Sequence, residues 1–310
     1  MQFNLSIAKQ LIAAFIIICV GSSPLHAEKA VRVLVIGNSV DEPYQKAVAG
    51  FKSQFSGPTK PEFIDLTLRE SSSSDAKKIK AINPDLIYAL GNETTEWAMQ
   101  QTSSIPIVST LVVNNDIFKQ SANITGVRLD FSLKTQFQWL KKFFTPPKNV
   151  AILYNPAENA AAIQTAQIIS QQEGFKLVPI IVQTPKELPY ALERLDTDID
   201  VLLAIPDEMT MSVNTAKEVL LASFSNKVPL IGLSDNWVKS GALYALSWDY
   251  EDLGKQCADI AKKIASGASV RSISAEHPRK VTYTINTKIA NDMDMEISSS
   301  VLKNAKMVFD

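Results

Sequence analysis

Apolar runs and helical segments alternate along the chain in an order that occurs twice. Between residues 31 and 111, and again between 149 and 235, apolar runs and segments with helical spacing follow one another in the same sequence. The runs are apolar at consecutive positions, which is typical of strands buried on both faces of a parallel sheet. The pattern therefore predicts an α/β protein with two Rossmann-like lobes, each built on a parallel sheet.

Three runs of the first repeat have counterparts in the second. Two similar lobes in one chain suggest a cleft between them, and a cleft suggests a ligand. The matching runs are VRVLVIGN (31–38) with NVAILYNP (149–156), PDLIYALG (84–91) with DVLLAIPD (200–207), and IPIVST (105–110) with VPLIGLS (228–234).

The segments after the second repeat do not extend it. A further strand at 241–247, a helix at 250–265 and an alternating run at 280–288 are expected to cross back between the lobes and form a hinge of several strands. The prediction places this hinge near Asp130, Asn236 and Lys280.

Lobe boundaries follow from this arrangement. We expect lobe 1 to contain 28–145 plus 236–270, and lobe 2 to contain 146–235 plus 271–310. The paired prolines Pro146 and Pro147 mark the division between the two halves.

The first 27 residues have the layout of a signal peptide. Lys9 precedes the uncharged run LIAAFIIICV (11–20), and small and turn-forming residues follow up to Ala27. The run is too short for a spanning helix, which needs about 20 residues. Cys19 is an alternative lipid-attachment site, but such a site requires a small residue directly before the cysteine, and that position is occupied by Ile18. We expect cleavage after Ala27 and a soluble periplasmic protein.

Composition narrows the possible partners. Without the leader the chain keeps one cysteine, Cys257, and one histidine, His277, so no internal disulfide can form. Loss of Lys9 leaves 30 basic against 32 acidic residues, a net charge of about −2. Nothing in this balance attracts nucleic acid. We expect a monomer.

Several segments together resemble a known family. With the leader and the order of elements, they are similar to the ABC-transporter substrate-binding proteins that include tryptophan- and tyrosine-binding members. The segments are NITGVRLD (123–130), NPAENAAAIQTAQ (155–167), GALYALSWDYEDLGKQCADIAKKIASG (241–267) and INTKIANDMDMEISSSVLKNA (285–305).

The resemblance implies a type I periplasmic-binding-protein fold, a ligand held between the lobes, and delivery to an ABC permease in the inner membrane. The chain departs from the common family pattern at GNETTEW (91–97) and at Asp294. Because the first departure falls at the predicted pocket, the ligand of well-known relatives is not transferred.

Polar residues end every predicted strand of the repeats. In open parallel sheets the ligand lies beyond the carboxyl ends of the strands, where helix N-termini present unpaired amides. Helix capping is the alternative role for each of these residues. The candidate ligand-binding residues at strand ends are Asn38, Ser39, Gly91, Asn92, Thr110, Asn155, Asn159, Asp207, Ser234 and Asp235.

Charge and aromatic residues suggest the kind of ligand. Acidic side chains lie on or near the strand ends, whereas none of the six arginines does so in the repeated sheets. This favours an amine or a zwitterion such as an amino acid. Tyr154, Trp237 and Trp248 lie near strand ends or the hinge and are further candidate contacts, with core packing as the alternative.

Enzyme motifs are missing from the chain. A catalytic triad needs a base, usually histidine, but the one histidine that remains after the leader, His277, stands alone in a Pro-flanked loop. No GxSxG elbow, GxGxxG or P-loop occurs. The acidic residues Asp292, Asp294 and Glu296 could suggest a calcium site. The segment that contains them lacks the turn glycine and the distant glutamate that an EF-hand loop needs. We therefore expect no cofactor and no metal. The alternatives to a transport receptor are a ligand-sensing module that signals to a membrane receptor and, less favoured, a carboxylate-dependent α/β enzyme.

Overall fold

Two β-sheets, each covered by helices, form two lobes. The computed structural model describes residues 31–57, 60–68, 73–145, 148–196 and 198–310. The predicted signal peptide and the proline pair 146–147 lie outside the described residues.

The first lobe is built on five parallel strands, in the spatial order second, first, third, fourth, fifth. Alternate residues of the first strand enter opposite cores, Val33 and Val35 on one face and Leu34 and Ile36 on the other. This explains why the strand is apolar at consecutive positions. The strands are β1 (Arg32–Gly37), β2 (Glu62–Thr67), β3 (Leu86–Leu90), β4 (Ile107–Thr110) and β5 (Ile124–Gly126).

The second lobe is built on seven strands: β6 (Asn149–Tyr154), β7 (Lys176–Ile181), β8 (Val201–Leu203), β9 (Leu230–Gly232), β10 (Tyr244–Trp248), β11 (Val281–Asn286) and β12 (Met307–Phe309). Their order is β12-β11-β10-β9-β8-β6-β7. This sheet is mixed, because β11 pairs with β10 in the antiparallel sense while the other pairs are parallel.

Eleven α-helices occur in the described residues: α1 (Glu42–Ser53), α2 (Ser73–Ile82), α3 (Asn92–Gln101), α4 (Leu133–Leu140), α5 (Pro156–Gln172), α6 (Leu188–Leu192), α7 (Ala216–Ser225), α8 (Asp235–Lys239), α9 (Tyr250–Ala265), α10 (Thr287–Asp292) and α11 (Ser299–Asn304). Three short 3₁₀ helices, at Asn115–Lys119, Pro185–Glu187 and Val270–Ser272, complete the helical elements of the same residues. The two-lobed α/β class predicted from the sequence is confirmed.

The chain passes between the lobes three times. The first crossing runs from Val127 to Ser132, between β5 of the first sheet and α4 of the second lobe. The second lies between β10 and α9, and the third runs from Glu276 to β11. Val127 and Glu276 form a bridge that joins the first and third crossings. These three adjacent crossings are the multi-strand hinge.

One predicted lobe boundary is corrected by the sheet topology. Residues 236–270 were expected in lobe 1, but β10 pairs with β9 and β11 in the second sheet, and α8 packs on the same strands. Within this range, α9 returns to the first lobe, where it packs on α1 and β4. The 3₁₀ helix Val270–Ser272 lies against β5, so Arg271 and Ser272, which were expected in lobe 2, also lie with the first lobe. Asn236 lies on α8 and is therefore not at the hinge. The tail after α11 forms β12, an edge strand beside β11.

Two glycines allow α1 and α9 to touch backbone to backbone. A Cβ atom on Gly50 would stand 2.0 Å from the carbonyl oxygen of Glu251, and one on Gly254 would stand 1.9 Å from that of Ala47. No side chain fits at such distances, so any larger residue must force the helices apart. The contact anchors α9 to the first lobe.

We expect Gly254→Ala to lower the free energy of unfolding by about 2 kcal/mol, because overpacking a rigid contact costs about 1–3 kcal/mol. Helix propensity alone would favour alanine by roughly 0.8–1.0 kcal/mol, so the sign of the change distinguishes packing from propensity. Urea denaturation measures it. Ala265→Ser, which also adds one heavy atom but on the exposed end of α9, is the control and should change stability by less than about 0.5 kcal/mol. A stabilised Gly254→Ala variant would contradict the close helix contact.

Candidate functional site

A cavity of about 260 Å³ lies between the lobes, beyond the carboxyl ends of the parallel strands. Both lobes contribute to it, as expected for a ligand site at this edge of an α/β sheet. Its lining includes residues after β4, on the first crossing and at the ends of β8, β9 and β10, namely Val113, Asn115, Asp130, Phe131, Pro206, Leu233, Leu246 and Trp248.

One wall of this interlobe cavity is aromatic and apolar. The rings of Phe131 and Trp248 are stacked, with centroids 6.0 Å apart and planes at 10°. Leu246 and Tyr244 extend the wall and are almost completely buried. Such a surface gains free energy by covering an apolar or aromatic group, at about 25 cal/mol per Å² of apolar area removed from water.

Two polar atoms in residues of the cavity lining have no partner. Among the described residues, four buried side-chain polar atoms make no hydrogen bond, and two of them are the carbonyl Oδ1 of Asn115 and the indole Nε1 of Trp248. The first is an acceptor and the second is a donor. Leaving such a group buried and unpaired costs about 1–3 kcal/mol, so unpaired groups often mark a function.

An ion pair on the first crossing holds Asn115. The Nδ2 group of Asn115 donates to Oδ1 of Asp130 over 3.0 Å, and Arg128 donates to the two carboxylate oxygens of Asp130, each over 2.7 Å. Arg128 follows β5 by two residues. The sequence predicted that no arginine lies near the strand ends of the repeated sheets. That statement does not extend to β5, which was not among the predicted strands and which Arg128 follows.

A second opening lies beside the cavity, with a volume of about 480 Å³, between strand ends of both lobes. Asn92 lies there, and its Oδ1 accepts from the backbone N–H of Val113 over 2.8 Å. Glu158 accepts from the backbone N–H of Glu208 over 3.0 Å. These side chains fix the loops that form the mouth of the cleft.

A third, polar pocket of about 240 Å³ lies on the other side of Trp248 and includes Ser234 and Asp235. The Oδ1 atom of Asp235 accepts from the hydroxyls of Ser247 and Thr284, the latter over 2.8 Å. Its Oδ2 atom lies 2.9 Å from the ammonium group of Lys306. Asp235 therefore ties α8 to β10, to β11 and to the segment that enters β12.

These partners decide the protonation of Asp235. Burial alone would raise its pKa, but the hydrogen bonds from Ser247, Lys306 and Thr284 favour the charged form and hold the pKa below its ordinary value. The carboxylate is therefore ionised and fully engaged within the protein.

The predicted site residues of the first lobe have mostly structural partners. Asn38 donates to Glu93 over 2.7 Å, and Ser39 accepts from the backbone N–H of Asp41 over 3.0 Å. Thr110 is buried and donates to the carbonyl of Val127 over 3.0 Å. Gly91 immediately precedes α3 with a φ of 92°, and a Cβ there would stand 2.6 Å from the Tyr44 hydroxyl. Within this group, only Asn92 lines the cleft openings.

In the second lobe the capping role is prominent. Asn155 caps α5 by accepting from the backbone N–H of Ala157 over 2.9 Å. Asp207 is 5% exposed, and its carboxylate accepts four hydrogen bonds. Asn159 supplies one of them over 2.9 Å, and three come from backbone N–H groups, one of them that of Asn155. Tyr154 is 8% exposed in the core.

The two candidate tryptophans have different places. Trp237 packs beside Gly232 and the core of the second lobe, outside the three cleft cavities. Trp248 lines two of these cavities. The structure thus brings Trp248, Asn92, Asp207, Ser234 and Asp235 to the cleft.

The cavity also contains residues that the sequence did not single out. Asn115, Phe131 and Leu246 are lining residues that were not candidates. A wider search after the third apolar run would have reached the polar stretch NND (114–116), whereas no local signal marks Phe131 as a partner of Trp248.

The sequence model of the family described as ABC transporter substrate binding protein matches residues 67–309. The chain belongs to this family. The substrate-binding proteins that make up the family are not enzymes, so the chain is a solute-binding protein. The family resemblance read from the sequence is confirmed.

Individual relatives agree with this assignment. A curated tyrosine-binding protein of Clostridioides difficile is 26% identical over 246 residues, which cover 76% of this chain and 71% of the relative. A ligand-free, open substrate-binding protein with adhesive properties from Clostridium difficile has a TM-score of 0.69 at 22% identity, covering 90% and 99% of the two chains.

A protein from Streptococcus pneumonia in complex with L-Trp has a TM-score of 0.53 at 17% identity, covering 90% of this chain and all of the other. At these identities the structural likeness establishes the fold of a type I periplasmic binding protein.

Two further properties concern the described part of this solute-binding protein. None of its helices there is both long and apolar enough to span a bilayer. Over the same residues, no group of three or more His, Cys, Asp or Glu side chains is placed to hold a metal ion.

We expect Asp235→Asn to be less stable than the unchanged protein by about 1–2 kcal/mol at pH 7, because the charge-assisted hydrogen bonds of Asp235 are weakened. The pKa of Asp235 is lowered in the folded state. Its contribution is therefore present above the unfolded pKa of about 3.9 and is lost as the pH falls through the lower folded pKa. Urea denaturation between pH 7 and pH 3 should show that the difference in unfolding free energy between the variant and the unchanged protein closes below about pH 4.

Asp294→Asn is the matched control, since the ion pair of Asp294 with Lys227 is exposed to water. Its unfolding free energy should not differ measurably from that of the unchanged protein at any pH. A constant difference for Asp235→Asn down to pH 3 would mean that the charge of Asp235 does not contribute.

Proposed function

We propose that this protein is the periplasmic solute-binding component of an ABC importer, and that it holds an amino acid or an amine in the interlobe cavity. The proposal combines membership of the family with the predicted leader, which directs export. We further propose that the protein acts as a monomer and presents its ligand to a permease in the inner membrane.

The observation that carries the proposal is the pair of buried, unpaired atoms on two residues of the cavity lining. Asn115 offers an acceptor on the first lobe, and Trp248 offers a donor at the end of the second sheet. A small molecule that carries both an N–H donor and a carboxylate acceptor would satisfy both atoms. An amino acid has these two groups on one carbon atom.

The aromatic wall supports a ligand with an apolar side chain. Phe131, Leu246 and Trp248 present apolar surface in the same cavity. Relatives described as tyrosine-binding or in complex with L-Trp make aromatic amino acids the natural first probes. The acidic strand ends contribute less than expected to this choice, because Asp207 and Asp235 are already engaged within the protein.

The proposed mechanism is closure of the two lobes over the ligand. The three crossings link the lobes through short segments, so a rotation about them brings Asn115 and Trp248 to the same ligand. A ligand drives this motion only through its higher affinity for the closed form.

Mass spectrometry of small molecules retained through purification, followed by a thermal-shift screen of amino acids and amines, would identify the ligand. X-ray scattering should then show a smaller radius of gyration when that ligand is bound, because closure makes the molecule more compact. An unchanged radius at saturating ligand would count against closure. Retention of a multiply anionic compound would count against the proposed ligand class.

Two matched tryptophan variants test the position of the site. We expect Trp248→Phe to weaken binding of the retained ligand about tenfold, because it removes one hydrogen-bond donor and part of the stacking surface. Trp237→Phe makes the same chemical change outside the cleft cavities, and its affinity should stay within about twofold. Titration calorimetry gives both values. Equal losses for the two variants would mean that the ligand does not bind against Trp248.

A further inference from the structure

We propose that Asn115 is the specificity-determining residue of the site, reading a hydrogen-bond donor on the ligand, and that the Arg128–Asp130 pair positions it and links it to the hinge. The inference rests on the proposed function and names the residues by which the same site selects its ligand. Asn115 was not among the residues predicted from the sequence.

The orientation of the Asn115 amide is fixed by its partner. Because both carboxylate oxygens of Asp130 accept hydrogen bonds from Arg128, the group facing Oδ1 over 3.0 Å must be the NH₂ end of Asn115. The carbonyl Oδ1 is therefore at the other end of the amide, where it is buried and has no donor. A ligand N–H that reaches this atom removes the cost of an unmade hydrogen bond.

The charge of Asp130 is already compensated. Arg128 forms a bidentate pair with it, and both side chains are about two-thirds buried. A bidentate pair is both strong and geometrically defined. Asp130 therefore acts less as a free charge for the ligand than as a fixed support for Asn115.

The second unpaired atom lies on the opposite lobe. Trp248 ends β10, immediately before the second crossing, and its indole N–H lacks an acceptor. Neither this atom nor Oδ1 of Asn115 is in contact with solvent in the present arrangement. A ligand therefore reaches them only when the lobes or the side chains move apart, and then fills both positions on closing.

The support of Asn115 is also part of the hinge. Asp130 lies on the first crossing, and its backbone carbonyl accepts from Nδ1 of His277 on the third crossing over 2.9 Å. A contact made at Asn115 is thus connected through Asp130 to two of the three crossings. The inferred ligand class is a small molecule with a donor and an acceptor on one apolar body.

Three compounds with a common ring system test the inference. L-phenylalanine carries both groups and has no donor on its ring, 3-phenylpropionate lacks the amine, and phenethylamine lacks the carboxylate. For the unchanged protein, titration calorimetry should give at least tenfold tighter binding of L-phenylalanine than of either truncated compound. The ratio of the affinities for L-phenylalanine and 3-phenylpropionate measures how strongly Asn115 selects a ligand that carries the donor.

Separate variants test the two proposed roles, recognition of the donor by Asn115 and positioning of Asn115 by Asp130. Asn115→Ala should bring this ratio to within about threefold of one, since the acceptor is gone. Asp130→Asn should reduce the ratio at least threefold, because the amide of Asn115 loses its fixed partner. Asp116→Asn makes the same change one residue beyond Asn115, where Asp116 is exposed and pairs with Lys119, and should leave the ratio unchanged. Thermal melting of each variant establishes that it is folded.

The outcomes are decisive in each direction. A ratio that survives Asn115→Ala, a ratio near one in the unchanged protein, or no binding of any of the three compounds overturns the inference. A ratio lost in Asn115→Ala but kept in Asp130→Asn overturns the positioning role. If Asn115→Ala does not fold, Asp130→Asn alone decides, and an unchanged ratio overturns the proposal. Failure of the transport proposal is seen separately, as absence of any retained ligand and of any ligand-dependent change in scattering.

Discussion

The backbone contact between α1 and α9 is the constraint on which the two-lobed arrangement depends. Gly50 and Gly254 let the helices meet with no side chain between them, and α9 buries Leu253, Cys257 and Ile260 in the first lobe. Because β10 belongs to the second sheet, this contact obliges the chain to cross back to the first lobe after Trp248 and to return to β11. Two of the three crossings exist only for this reason. They place the aromatic end of β10 beside the first crossing, and so they create the cavity.

Much of this fold could be predicted from local pattern, because the signals involved are local. Consecutive apolar positions in β1, β3, β6 and β8 reflect burial on both faces, and α9 was predicted with its observed ends, Tyr250 and Ala265. The lobe assignment of β10 could not be predicted in this way. It depends on antiparallel pairing with β11, between residues such as Tyr244 and Ile285 that lie far apart in the chain. The local sequence of neither strand indicates which sheet it joins.

The candidate site shows the same division between local and non-local information. Strand-end polarity led to Asn92, Asp207 and Asp235, which do lie at the cleft, but it could not separate ligand contact from structural support. Asp207 holds backbone amides at 5% exposure, and Asp235 joins α8 to the C-terminal strand through Lys306. Asn115 and Phe131 became visible only when the crossings were in place. The acidic strand ends predicted a field that attracts cations, yet two of these carboxylates already have partners within the protein. Backbone amides and Asn159 donate to Asp207, and Lys306 pairs with Asp235.

A site that selects its ligand through neutral groups has a physical advantage in a receptor that must release what it binds. A free carboxylate in a closed, weakly polar cavity would hold an ammonium group strongly, and release would be slow because that contact must be broken. At Asp130 the charge is compensated by Arg128, and the atom left unpaired is the neutral carbonyl of Asn115. A hydrogen bond from an ammonium group to this neutral carbonyl contributes about 1.5–3 kcal/mol net, and a ligand without the donor leaves the buried atom unpaired at a cost of about 1–3 kcal/mol. In the proposed site, discrimination against a ligand that lacks the donor therefore combines both contributions, without the strong binding that a free buried carboxylate would add.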